Sequence, residues 1–298
     1  MQTIAAGLRF PEGPIAMPDG SVILVEIERG TLSRVSPTGT VSVIAHLGGG
    51  PNGAAMGPDG AIYVCNNGGF KWQRPDGLLV PAGTPEDYSG GRIERVDLQS
   101  GAVTTLYREC DGFRLNGPND IVFDRQGGFW FTDLGKTRET TKDLGVIYYA
   151  KADGTHISRQ IMHRDSPNGI GLSPDERTVY FAETLTGRVW ACDLSAPGQV
   201  NSGSLRLVVG LPGFQLFDSM AIDAAGNLCV ATLMNGGITV ISPDGSKVRH
   251  VPMDDRFTTN ICFGGTDLRT AFITLSSTGK LVSTPWDTAG LPLNFLNR

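Results

Sequence analysis

The sequence of 298 residues predicts an all-β fold, a six-bladed β-propeller of four-stranded antiparallel blades, and three observations point to it. A short motif carrying an oxygen-bearing side chain introduces an apolar strand six times, at Glu12, Asn52, Asn119, Asn168, Asp218 and Asn260. The intervals between these markers are 40, 67, 49, 50 and 42 residues, which bracket the length of one four-stranded blade. Glycine supplies 40 of the 298 residues, well above the usual ~7%, as expected of a chain that turns often, and no helical apolar period is sustained.

Each unit reads alike. Glu12 is followed by the turn Pro18-Asp19-Gly20 and the run Val22-Ile23-Leu24-Val25, and Asn52 by Pro58-Asp59-Gly60 and Ile62-Tyr63-Val64-Cys65. Asn119 leads to Phe129-Trp130-Phe131, Asn168 to Val179-Tyr180-Phe181, Asp218 to Leu228-Cys229-Val230, and Asn260 to Ala271-Phe272-Ile273. A glycine-led alternating strand then continues most units, as in Gly30-Thr31-Leu32-Ser33-Arg34-Val35. One domain spans 1–298, with blades starting near 12, 52, 119, 168, 218 and 260. Residues Gln2 to Leu8 precede the first marker and suit the strand that closes the ring in the last blade. The Leu291-Pro292-Leu293 tail is expected across an outer face.

If each marker opens an innermost strand, all six side chains gather at one end of the central channel, and the loops between second and third strands surround them. Those loops carry Glu26, Glu28 and Arg29, then Asp133, Lys136 and Arg138, then Glu183 and Thr184. In the second unit the loop runs from Asn66 to Gly91 with Phe70, Trp72 and Tyr88, which fits an ordered lid or a surface insertion packing its own aromatics.

Composition narrows the partners. The net charge is −5 with Lys and Arg dispersed, so no basic stripe exists for nucleic acid and no polybasic patch for a membrane. No apolar run approaches the ~20 residues of a membrane span, and the first residues read as blade rather than leader, so a cytoplasmic location is expected. Five cysteines, at 65, 110, 192, 229 and 262, form no CxxC and fit small apolar roles better than disulfides or zinc.

Six oxygen donors at one channel mouth would be costly if dry and unpaired. Two carboxylates, Glu12 and Asp218, with several amides and no sulfur or imidazole make a hard environment suited to calcium, magnesium or manganese. Asn and Asp also cap turns, and for Asn52 and Asn260 turn-capping is the favoured reading. Glu12, set between prolines and a poor turn former, resists that explanation.

The motifs Phe10-Pro11-Glu12-Gly13-Pro14, Leu115-Asn116-Gly117-Pro118-Asn119-Asp120, Ser166-Pro167-Asn168-Gly169-Ile170 and Asp218-Ser219-Met220-Ala221-Ile222-Asp223, in this order, resemble the SMP-30/gluconolactonase/LRE-like family over nearly the whole chain. The resemblance implies a six-bladed propeller that hydrolyses sugar lactones with a divalent ion at the channel mouth, and relatives that cleave aryl esters or organophosphates. It implies Glu12, Asn119, Asn168 and Asp218 as metal ligands, calcium as the usual ion, and zinc, manganese or magnesium as alternatives. Asp133-Leu134-Gly135-Lys136 departs from the aromatic or acidic residue that many sugar lactonases carry there, so the particular lactone stays open.

On this reading the cation polarises the lactone carbonyl, water is the nucleophile, and Asp218 is the catalytic candidate, with Glu26 in reserve. Arg114, Asn116, Trp72 and Lys136 are the candidate substrate contacts. There is no Gly-x-Ser-x-Gly, and neither Ser166 nor Ser219 has an evident histidine partner. Two alternatives stand beside a small-molecule lactonase: an aryl-ester or phosphotriester hydrolase on the same site, favoured by Phe70, Trp72, Phe113, Phe214 and Phe217, and a non-catalytic metal-containing propeller that binds a ligand.

Overall fold

The computed structural model describes residues 1–298 and contains six antiparallel sheets arranged as blades around one axis. The innermost strands are Pro11–Ala16, Pro51–Met56, Pro118–Phe123, Pro167–Leu172, Leu216–Ile222 and Thr258–Gly264, and each packs beside the innermost strands of its neighbours. Gln2–Ala6 pairs antiparallel with Lys280–Pro285 and supplies the outer strand of the sixth blade, so the ring closes with a strand from the other end of the chain.

The second strands read as unbroken apolar runs because both their faces are covered. In Val22–Glu26, Ile23 and Val25 pack toward blade two while Leu24 packs toward blade six, as the two-residue period of a strand dictates. Six apolar clusters result, one in each gap between adjacent blades. All five cysteines are free and buried. No helix is long and apolar enough to cross a membrane.

The tail departs from expectation. It crosses the end of the channel opposite the markers: Leu291 N–H donates to Ile222 O, Phe295 packs edge-on against Phe123, and Asn294 and Arg298 both reach Glu176. Glu176 also accepts from the backbone and side chain of Arg125, which makes it the hub that holds the tail. Above the tail lies a cavity of about 100 Å³ lined mainly by apolar side chains such as Ile121, Phe123, Ile170, Met220 and Ile222. Leu291, Phe295 and Leu296 are half-buried there, which favours this placement, while Leu293 stays exposed.

A bulged ring of oxygen donors

In every blade the pairing of first and second strands breaks at the marker. Pro51 pairs with Asn66 but Ala54 with Val64, and the same three-against-two step occurs from Pro118 to Ile121, Pro167 to Ile170, Phe217 to Met220 and Glu12 to Ile15. The sixth blade makes a two-against-one step from Thr258 to Asn260. One extra residue per blade is thus a β-bulge, which takes Asn52, Asn119, Asn168 and Asp218 out of the ladder, while Glu12 and Asn260 stay paired at its edge, with Val25 and Thr274. Asn52 lies in the bulge and Asn260 beside it, both on inner strands and not in turns, which corrects the turn-capping reading; Asn260 Oδ1 does accept the next backbone N–H, of Ile261, at 2.7 Å.

Small residues keep the ring tight. A side chain on Gly13 would collide with Asn52 O, one on Gly53 with Asn119 O, and one on Gly169 with Asp218 O, so the residue after a marker abuts the next blade's marker backbone. Blade three has Asp120 at this position, and the hydroxyl of its neighbour Thr132 donates to Asn168 O at 2.6 Å.

The ring is electrostatically loaded. Glu12 is buried, and its carboxyl is held well above the usual range, first by burial and then by the charge of Asp218. Asp218 is also raised, chiefly because surrounding protein keeps water from its carboxyl. Asp120 is pushed up to about 7 by burial, although it accepts from Ile121 N–H at 3.0 Å and Ile170 N–H at 3.1 Å. Asn260 Nδ2 donates to Glu12 Oε2 at 2.7 Å, and Asn168 Nδ2 donates to Asp218 Oδ1 at 2.6 Å and Thr184 Oγ1 at 3.1 Å. Asn260 Oδ1 is taken by Ile261 N–H, and Asn168 Oδ1 has only a long contact of 3.5 Å from Ser219 Oγ. Glu12 Oε1 and Asn119 Oδ1 are buried with no hydrogen-bond partner at all.

Unpaired buried acceptors among mutually repelling carboxylates fit a hard cation. No group of three or more His, Cys, Asp or Glu side chains is placed to hold a metal, so a cation at this ring would depend on the amide oxygens as well. Asp120 was not singled out by the sequence reading. Its signal is positional: the residue after the marker is glycine in three blades and carries charge only here.

The rim divides the other candidates. Glu26 is fully buried and accepts from Arg9 N–H, Ser33 Oγ and Thr31 Oγ1 while pairing with Arg29, so its role is to brace the chain entering blade one, and the reserve-base reading is withdrawn. Asn66, Asp133 and Glu183 repeat the device, each accepting a backbone N–H of the segment that precedes a marker. Phe217 is buried between blades and Phe113 stacks against Arg159 on an outer strand, which removes both from the mouth. Arg114 is exposed and forms no ion pair, and Asn116 presents its carbonyl to Tyr88 Oη.

The 66–91 segment is ordered and arches over half of the rim. Leu79 N–H reaches Ser277 O of blade six, Trp72 packs 5.1 Å from Phe10 of blade one, and Thr84 Oγ1 donates to Thr137 O of blade three. Lys136 is buried beneath it: Nζ donates to Gly69 O at 2.7 Å and Asn67 Oδ1 at 3.3 Å, and lies over the rings of Phe70 and Tyr88. Burial pushes this ammonium down to about 7, with Asp133 opposing. Blades four and five contribute only short loops, on which Leu185 and Phe214 stand exposed.

Fold and site together define a six-bladed propeller with an oxygen-lined channel mouth under a half-lid. The chain belongs to the SMP-30/Gluconolactonase/LRE-like region family, whose model matches residues 10–277. It is 26% identical to a gluconolactonase of Zymomonas mobilis, over 89% of this chain and 76% of that one, and 27% identical to lactonase drp35 of Staphylococcus epidermidis, over 80% and 68%. Among solved structures it resembles a calcium-binding protein, regucalcin, from Agrobacterium tumefaciens, with a TM-score of 0.78, 19% identity, and coverage of 100% and 97%.

Proposed function

We propose that this protein is a divalent-cation-dependent lactone hydrolase, with Glu12, Asn119, Asn168 and Asp218 as the metal ligands and calcium as the first candidate ion. The observation that carries the reading is the pair of buried, unpartnered oxygens, Glu12 Oε1 and Asn119 Oδ1, within a ring that includes Asp218. Gluconolactonase and lactonase relatives support the reaction, and the calcium-binding regucalcin neighbour supports the ion. When bound, the cation would supply Lewis-acid polarisation of the lactone carbonyl.

The chain's own residues supply the rest. Asn168 Nδ2 fixes the Asp218 carboxylate through Oδ1, so the other oxygen can orient an attacking water and take its proton. The water oxygen bonds to the carbonyl carbon, the ring C–O bond breaks, and the proton passes to the departing alkoxide, giving the open hydroxy acid. The half-lid limits competing solvent.

The exposed Leu185 and Phe214 on the open side of the rim favour a second reading in which the substrate carries an apolar substituent, as an aryl ester does. Chelator-stripped protein assayed by acid release on sugar lactones, plain lactones and an aryl ester, with calcium, magnesium, manganese and zinc returned separately, tests both. Ion-restored lactone hydrolysis lost in Asp218→Asn is the expected result. Hydrolysis that survives chelation and that substitution would overturn the proposal, and turnover of the aryl ester alone would favour the second reading.

A further inference from the structure

One polar group at the mouth is unlike the ring of acceptors. Asn67 is the first residue past the Pro51–Asn66 pair, which places it at the mouth end of blade two, and its backbone N–H donates to Gly50 O. Its side chain is buried at 2% exposure. Two donors converge on Oδ1, from Gly69 N–H at 2.8 Å and Lys136 Nζ at 3.3 Å, so the amide can only be oriented with its oxygen toward them. The NH2 end is left buried without a partner. An unmade hydrogen bond at a buried donor is costly, and an apolar side chain of the same shape would avoid that cost.

From this geometry we infer that Asn67 is a substrate-binding residue whose Nδ2 donates to an oxygen of a polar, hydroxyl-bearing lactone, and that Lys136 is the positioning residue that orients the amide. The inference rests on the lactone-hydrolase reading and deepens it. Lys136 itself does not reach the guest, because its ammonium is committed to Asn67 and Gly69 and enclosed by Phe70 and Tyr88. The lid thereby gains a chemical purpose: its base, Asn67 to Gly69, carries a donor at the mouth end of blade two, where the markers carry acceptors.

The test is Asn67→Asp, which keeps size and retains an acceptor for Gly69 N–H and Lys136 Nζ but replaces the orphan donor with an acceptor. Calcium-loaded wild type and variant are compared on δ-gluconolactone and on δ-valerolactone, which lacks hydroxyls, together with calorimetric binding of the unreactive gluconolactam. KM for δ-gluconolactone and Kd for the lactam should rise ~10-fold, δ-valerolactone turnover should stay within about twofold, and thermal stability and calcium affinity should not fall. A variant with wild-type KM and lactam affinity, or one that loses both lactones equally, would overturn the inference while leaving the hydrolase reading intact. Wild type that binds the lactam through Asn67 yet hydrolyses no lactone would overturn the hydrolase reading instead, and wild type that does neither would overturn both.

Discussion

The two ends of the channel are built from the same six strands yet differ in kind. At the mouth the strands present Glu12, Asn119, Asn168 and Asp218, with buried oxygens lacking partners; a few residues further along they present Ile121, Phe123, Ile170 and Ile222 around a mainly apolar cavity closed by the tail. The bulge separates them. At it or at its edge the marker side chains are polar at a cost; after it, regular pairing resumes and apolar packing returns. Stability and chemistry are therefore divided along each strand, and substitutions at the two ends should affect different observables.

The largest expected effect is at the mouth. Glu12→Gln or Asp218→Asn should cut lactone hydrolysis on the order of 100-fold or more, while the melting temperature of the metal-free protein holds or rises, because a repelling buried charge has gone. A fall in both activity and metal-free stability would show that the carboxylates serve the fold. At the far end the pattern reverses. Phe123→Ala, which removes contacts with Tyr63, Phe129 and Phe295, should cost ~3–5 kcal/mol in urea denaturation and leave the turnover of folded protein within about twofold.

Releasing the tail should cost less. Glu176→Ala strips the partner shared by Arg125, Asn294 and Arg298 and should lower stability by ~1–3 kcal/mol without changing KM; a changed KM would mean that the two ends communicate. The smallest effect sharpens the lid side of the mouth. The Lys136 ammonium is pushed down to about 7 by burial, against ~10.4 in an unfolded chain, so the unfolded state binds the extra proton between those values. Stability from this group is thus gained as pH rises from 7 toward 10 and is level below 7. Lys136→Met should remove that rise, so the urea midpoint of wild type should move upward relative to that of the variant between pH 7 and pH 9.5; a constant difference would contradict the assignment.

Much of this was legible in the sequence because the repeat is local. The marker spacing, the turn residues and the apolar second strands located the blades, and Gln2–Ala6 could be assigned to the closing strand by counting strands in the last unit. The bulges were hidden, since a shift of one residue in pairing leaves little composition signature beyond Gly13, Gly53 and Gly169. Glu26 and Glu183 looked like loop carboxylates because their partners are backbone N–H groups up to 18 residues away. The tail was misplaced for a similar reason: its apolar residues announce burial, but only the closed ring shows that a channel end is there to receive them. The role of Asn67 depends on which end of its amide faces Lys136, a choice set by contacts across 69 residues of sequence.

Calorimetric titration of calcium chloride into chelator-stripped protein tests the central claim most directly, with wild type, Glu12→Gln and Phe123→Leu in parallel. One site should fill in wild type, weaken at least ~100-fold in Glu12→Gln and be unchanged in Phe123→Leu. Binding that ignores Glu12→Gln, or no binding of any divalent ion, would contradict it.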